Sequence, residues 1–180
     1  MAFGSLSIKG RALRYLSQRE HSRHELERKL LRHVRNAARR RQQADDAAEN
    51  EADNETSRAS SDEQQIAPAL DALAAAGLLS DERAAASVLH SQGARYGVRR
   101  LKQTLQQRGH EPELIDATLQ QARSTELARA HDVWRRRFGA APADAAERAR
   151  QVRFLMGRGF ESDVIRRVIR GIDDPTFDEV

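Results

Sequence analysis

The sequence predicts an all-α protein built as an elongated, solenoid-like array of three tandem three-helix repeats. Three observations carry this. Of 180 residues, 29 are Ala and only 4 are Pro, a composition that favours helices because alanine is the best helix former. Charged residues make up 32% and aromatics 4%, so any core is thin and assembled from Leu, Ile, Val and Ala. Finally, Arg108-Gly109-His110-Glu111, followed by Leu114-Ile115 and Leu119, returns 50 residues later as Arg158-Gly159-Phe160-Glu161, followed by Val164-Ile165 and Ile169. Both copies read Arg-Gly-x-Glu-x-x-apolar-Ile-x-x-x-apolar, and Leu105 and Leu155 each stand four residues ahead of the glycine, so one supersecondary unit occurs twice.

Taken in order, residues 1–10 read as an N-terminal tail and the first repeat spans 11–80. Leu13 and Leu16, then Leu26, Leu30, Leu31 and Val34, recur at helical spacing and predict helices over 11–19 and 22–35. Ser22 with Glu25 three residues on is a capping box: the hydroxyl caps the exposed amides and Glu25 reaches back. Arg39-Arg40-Arg41 prolong this second helix into solvent. An acidic, disordered insert is expected over about 36–61, because residues 43–63 carry eight carboxylates and no large apolar side chain to offset the entropy of ordering. Ile66, Leu70 and Leu73 predict the third helix, over 66–76, with Gly77 as its stop; Pro68 requires this helix to begin near Ile66 or bend.

The second repeat, 81–123, is read as helices over 81–92, 98–108 and 112–123. The third, 124–171, is read as helices over 125–138, 142–156 and 161–170. Pro112 and Pro142 are placed at helix starts, where a missing amide hydrogen is harmless. Gly109 and Gly159 are placed in left-handed turns that close the helix before them. Residues 172–180 form an acidic C-terminal tail. Units of about 40 residues are too small to stand comfortably alone, so they should stack on their neighbours.

Charge is distributed unevenly. Residues 1–41 hold 12 basic and 3 acidic side chains, 42–66 hold 1 and 8, and 67–180 hold 18 and 16, for net charges of +9, −7 and +2. A further expectation is that the acidic insert folds back on the basic second helix and competes there with a partner. No Cys is present, which excludes disulfides, thiolate metal sites and a thiol nucleophile. No apolar run approaches the roughly 20 residues needed to span a bilayer, and no secretory leader is evident, so a cytoplasmic protein without membrane contact is expected.

His21, His24 and Glu25 cluster without completing a metal set, and the histidines are read as solvated side chains. Neither Gly-x-Ser-x-Gly nor a phosphate-cradling glycine motif occurs, so no catalytic residue, metal or cofactor is assigned and the chain is not expected to be an enzyme. Trp134, though followed by Arg135-Arg136-Arg137, reads as core beside Val133 and Phe138. The live signal is basic helix faces: Arg99, Arg100, Lys102 and Arg108 in the second repeat, and Arg153, Arg158, Arg166, Arg167 and Arg170 in the third. Arg23, Arg28, Lys29, Arg99, Arg100, Arg166 and Arg167 are selected as partner contacts because each falls on a polar helix face.

Several stretches also resemble a known family, the RecX regulatory proteins, modulators of the bacterial recombinase RecA. They are Arg11-Ala12-Leu13-Arg14-Tyr15-Leu16, Arg19-Glu20-His21-Ser22, Glu25-Leu26 and Lys29-Leu30 in the first repeat. Further on come Gly77-Leu78-Leu79-Ser80-Asp81-Glu82-Arg83-Ala84-Ala85, then Gly97-Val98-Arg99-Arg100-Leu101 with Leu105 and Gly109. The resemblance implies three tandem three-helix repeats and a monomer that lodges on the RecA filament on single-stranded DNA, touching the DNA directly or through RecA. It implies inhibition of RecA recombinase, ATPase and coprotease activities in DNA repair and the SOS response. The alternative reading of the same basic faces is a stand-alone helical DNA- or RNA-binding module without a specific RecA role.

Overall fold

The structure, a computed structural model, describes residues 6–45 and 61–171. Among these residues there is no strand, and the helices of nine residues or more are α1 (Ile8–Leu16), α2 (Arg23–Asp45), α3 (Ile66–Ala75), α4 (Asp81–Gln92), α5 (Val98–Gln107), α6 (Pro112–Ser124), α7 (Glu126–Arg137), α8 (Ala145–Gly157) and α9 (Ser162–Gly171). They group by threes into the three repeats. The chain divides into two compact units, Met1–Ala84 and Ala85–Val180, with the boundary inside α4.

Each repeat buries its own apolar cluster. Ile8, Ala12, Leu26, Leu30, Ile66, Leu70 and Leu73 fill the first. The second is smaller-grained, with Ala85, Val88, Leu101, Leu105, Ile115 and Leu119. Trp134, Leu155, Phe160, Ile165, Val168 and Ile169 fill the third. The repeated motif explains the likeness of the last two. Gly109 and Gly159 have φ of 73° and 81°, the left-handed region that closes a helix without a Cβ penalty. The residue after each, His110 or Phe160, turns inward and is buried. Gly77, at φ 69°, stops α3 in the same way.

Several helix boundaries differ from the sequence expectation, each for a local reason. α1 starts at Ile8 rather than residue 11, because the Ser7 hydroxyl caps it by accepting from the Gly10 amide at 3.1 Å. Residues 8–10 are therefore helix rather than tail, Ile8 and Ala12 face the core, and Leu13 is 39% exposed. α2 continues through Arg39-Arg40-Arg41, as expected, and on to Asp45, so residues 36–45 are helical rather than part of a disordered insert. Ala, Arg and Gln sustain a helix by propensity alone, with no apolar face. Residues 61–64 are helical too, whereas 46–60 and the tail over 172–180 lie outside the described residues. Pro68 is the third residue of α3, inside the first turn where proline is tolerated. Pro112 does begin α6. Pro142 does not begin α8; that helix starts at Ala145, since the Asp144 carboxylate accepts from the Glu147 amide at 2.7 Å while Glu147 reaches back to the Ala143 amide at 3.0 Å.

Helix starts reveal a device shared between repeats. The amide of Arg23, first residue of α2, donates to the Asp81 carboxylate at 2.7 Å. The amide of Val98, first residue of α5, donates to the Glu126 carboxylate at 2.9 Å. Asp81 and Glu126 are the first residues of α4 and α7. In both cases, then, the middle helix of one repeat has an otherwise orphaned donor satisfied by the acid that opens the next repeat.

Candidate functional site

In the first unit the basic side chains surround a buried carboxylate. Glu25 lies 3.2 Å from His21 Nδ1 and 3.5 Å from Lys29 Nζ, and it pairs with the Arg19 guanidinium. His21 is 1% exposed, so it is a packed partner of Glu25 and not the solvated histidine expected from sequence; the fixed turn before α2 places it there. Burial would raise the Glu25 pKa, but the adjoining His21 imidazole and the Arg19 guanidinium outweigh it and hold the carboxyl well below its ordinary 4.5. The sign follows. Below 4.5 the unfolded chain takes up a proton that the folded carboxylate refuses, so the first unit loses stability as pH falls below that value. Urea titrations followed by circular dichroism should show this slope in the wild type and its flattening in Glu25→Gln.

The sequence-selected basic residues meet different fates here. Arg23 pairs through its guanidinium with Asp71 of α3 at 2.7 Å, so it ties α2 to α3. Lys29 sits over the Tyr15 ring at 5.2 Å in addition to its Glu25 pair. Arg28 is exposed. From the acidic side, Glu63 reaches Arg35 at 3.0 Å; the fold-back expected for the rest of the insert falls largely on residues outside those described.

In the second unit, repeats 2 and 3 are joined through backbone. The Gly97 amide donates to the Arg158 carbonyl at 3.0 Å and the Arg99 amide to the Gly159 carbonyl at 3.1 Å. Contact is so close that a Cβ on Gly97 would lie 2.3 Å from the Gly159 oxygen, and one on Gly159 would lie 2.5 Å from the Arg100 Cβ. Glu126 sits beneath this seam, 3% exposed, accepting from the Val98 amide and, at 3.3 Å, from the Glu161 amide. Its pKa is raised by burial against the lowering effect of these hydrogen bonds. Arg129 clamps the same region, donating to the carbonyls of Gly93 at 2.6 Å, Tyr96 at 2.5 Å and Ala122 at 2.7 Å.

Above the seam the side chains alternate between guanidinium and aromatic ring. Arg100 lies over the Tyr96 ring at 4.7 Å, Arg158 over Tyr96 at 5.6 Å and over Phe154 at 5.1 Å. Phe154 meets Phe138 edge-on at 5.3 Å, and Arg150 lies over Phe138 at 5.7 Å. Tyr96, Phe154 and Phe138 are half-buried and Arg100 is exposed. Among the described residues no carboxylate lies within 4 Å of Arg100 or Arg158, whereas Arg23, Arg35, Arg83, Arg135 and Arg150 each have one.

Of the sequence-selected set, then, Arg99 and Arg100 are brought to one seam. Arg166 and Arg167 stand exposed on α9 of the same unit, Arg166 beside a shallow groove with Arg148, Val152, Met156 and Ile165. Tyr96, Phe154 and Phe138 are not among the contacts singled out from sequence, and Arg158, named with the basic faces, is not among the seven selected contacts. A signal for them existed: Tyr96 precedes Gly97 and Arg158 precedes Gly159, two glycines where backbones can approach closely. Trp134 is core, 4% exposed, and its indole donates to Gln151 at 2.7 Å.

Likeness to known proteins decides the kinship. Family models for RecX match in series: the first three-helix domain over residues 9–34, the second over 80–119 and the third over 124–169. A protein named regulatory protein RecX from Leptothrix cholodnii is 48% identical over 168 residues, covering 93% of this chain and 90% of that protein. This chain belongs to the RecX family. Other RecX relatives include one from Ralstonia pickettii, 40% identical over 94% of this chain and 90% of its own length. One from Chromobacterium violaceum is 38% identical over 99% of both chains. A crystal structure of RecX from Lactobacillus salivarius shares the fold at a TM-score of 0.63, with 17% identity over 92% of this chain and 94% of the other. The first RecX domain match ends inside α2, ahead of that helix's extension to Asp45. RecX proteins are named as regulators rather than enzymes. Among the described residues no helix is long and apolar enough to cross a membrane, and no group of three His, Asp or Glu could hold a metal.

Proposed function

We propose that this chain binds the RecA nucleoprotein filament and restrains RecA, lowering its recombinase, ATPase and coprotease activities during DNA repair and the SOS response. The observation that supports this reading above all is the ordered match to all three RecX domains. It acts by occupying the filament rather than by catalysis, in the cytoplasm and as a monomer. Physically, uncompensated guanidiniums at the repeat 2–3 seam offer charge to phosphates or acidic patches of such a filament.

A second reading, a stand-alone DNA- or RNA-binding module, is favoured by one feature: arginines interleaved with half-buried rings. RecA ATPase on saturating single-stranded DNA separates the two. With this protein well below one per RecA monomer, a filament binder still inhibits and excess DNA does not restore the rate. Full rescue by bare DNA selects the second reading. Replacing Arg99 and Arg100 together with Ala should weaken inhibition about tenfold, ~1.4 kcal/mol, with helicity unchanged. Undiminished inhibition by that variant would exclude this seam as the contact.

A further inference from the structure

We propose that the acidic tail, residues 172–180, folds back into the groove between α8 and α9 of its own chain and screens Arg148 and Arg166 from acidic partners. The tail is thus an internal competitor for this basic face. Docking stands by itself; only its consequence for RecA rests on the filament reading.

Three observations favour this occupant. First, the groove is unfilled. It is lined by Arg148, Val152 and Met156 of α8 and by Ile165, Arg166 and Ile169 of α9, and it holds about 180 Å³, several times the ~30 Å³ share of one water, so it admits a whole side chain. Met156 is 49% exposed there, among the few large apolar side chains left in solvent. Second, charge is unmatched. Arg135 and Arg150 of the same unit pair with Asp132 and Glu147, whereas Arg148 and Arg166 are exposed with no carboxylate within 4 Å among the described residues. The tail supplies what is missing: Asp173, Asp174, Asp178 and Glu179 for the guanidiniums, and Phe177 for the apolar floor. Residues 46–60 are acidic too, but they hold no large apolar side chain and belong to the other unit. Third, the tail starts in the right place. α8 ends at Gly157 and α9 begins at Ser162, so the helices run side by side in opposite directions, with Met156 at the turn end of the groove and Arg148 and Ile169 at the other. α9 ends at Gly171, so the tail leaves it at that second end. Pro175 breaks any helix continued from α9, and Asp-Pro is a turn-forming pair. Residues 176–180 then span up to ~17 Å when extended, against roughly 11 Å of α9 from Ser162 to Ile169.

The test is methyl NMR of the full chain with isotope-labelled methionine and no RecA. The chain has 2 Met, Met1 and Met156, and the second reports on the groove. The Phe177 ring should move the Met156 methyl signal upfield; in Phe177→Ala that shift is lost while Met1 stays put. Arg148→Gln with Arg166→Gln retains the ring and should nonetheless lose the shift, as should the chain with Asp173, Asp174, Asp178 and Glu179 changed to their amides. Circular dichroism reports helicity for each. A Met156 signal identical in wild type and Phe177→Ala, or unmoved when the acids are neutralised in a folded chain, would overturn the proposal. So would a shift that fades on dilution, which assigns the groove to the tail of a second copy. In the RecA ATPase assay, a tail that fills the groove about nine-tenths of the time makes Phe177→Ala inhibit at about tenfold lower concentration. Equal inhibition by the two chains would refute the screening of a RecA contact. A wild type that shows the methyl shift but never inhibits RecA refutes the filament reading and leaves the docking in place.

Discussion

Gly159→Ala is expected to destabilise the second unit by about 3 kcal/mol, and Gly97→Ala by a similar amount. At Gly159 two penalties add. The backbone is at φ 81°, which costs any L side chain energy, and the new Cβ would sit 2.5 Å from the Arg100 Cβ and 2.6 Å from its amide nitrogen. At Gly97 φ is an ordinary −78°, so the penalty is purely steric: backbone atoms of Gly159 and Phe160 lie within 2.4 Å of the added carbon and cannot swing aside as a side chain would. Either variant pushes the start of α5 off the 158–160 turn and breaks the two backbone hydrogen bonds between them. Urea unfolding monitored by Trp134, the single tryptophan of the chain and buried in repeat 3, reads this unit specifically. Gly157→Ala is the control. Nothing lies within 4 Å of its Cβ position and it belongs to α8, so it should be neutral or stabilising by up to about 1 kcal/mol. A Gly159→Ala midpoint equal to that of Gly157→Ala would show that the seam does not hold the two repeats together.

Glu126→Ala is expected to cost about 3 kcal/mol, because it strands several buried groups at once. The Val98 amide loses its acceptor in a residue only 3% exposed, the Glu161 amide loses its acceptor, and the Arg129 guanidinium loses the nearby negative charge. Glu126→Gln keeps an acceptor oxygen and should cost about 1 kcal/mol. The pair also separates in pH. Since burial raises the Glu126 pKa above its ordinary 4.5, the folded protein binds more protons than the unfolded chain just above that value. Stability of the second unit therefore declines as pH rises through this window, opposite in sign to the Glu25 effect in the first unit. In Glu126→Gln the decline should vanish; its persistence, again followed at Trp134, would assign it to another group.

How much of this was legible in the sequence depends on how local each signal is. The Arg-Gly-x-Glu motif revealed the repeats because a left-handed glycine and an apolar spacing are decided within a few residues, and Gly109 and Gly159 adopt that conformation. The prolongation of α2 through Arg39-Arg40-Arg41 is legible, but its end at Asp45 is not, because periodicity detects an apolar face and this stretch holds no large apolar residue. Pro142 misled because proline permits a helix start without enforcing one; the Asp144 carboxylate three residues before Glu147 decided it. The burial of His21 is not legible in the sequence because it depends on packing against the Tyr15 ring and beside the Glu25 carboxylate. The aromatic seam is the least legible feature. Tyr96 and Phe154 are 58 residues apart, and only the approach of Gly97 to Gly159 brings Arg158 to both.

The acids that open α4 and α7 give this architecture a direction. Repeat 1 borrows Asp81, and repeat 2 borrows Glu126, so each is chemically unfinished until its successor is in place. Repeat 3 breaks the habit: α8 is closed off by its own Asp144 and Glu147, and it needs no acid from a later helix. Such a chain has a grammar in which the third unit is a full stop. Extra copies of repeat 2 could be inserted ahead of it without leaving a bare helix start, whereas exchanging the last two units would leave one exposed at the new end.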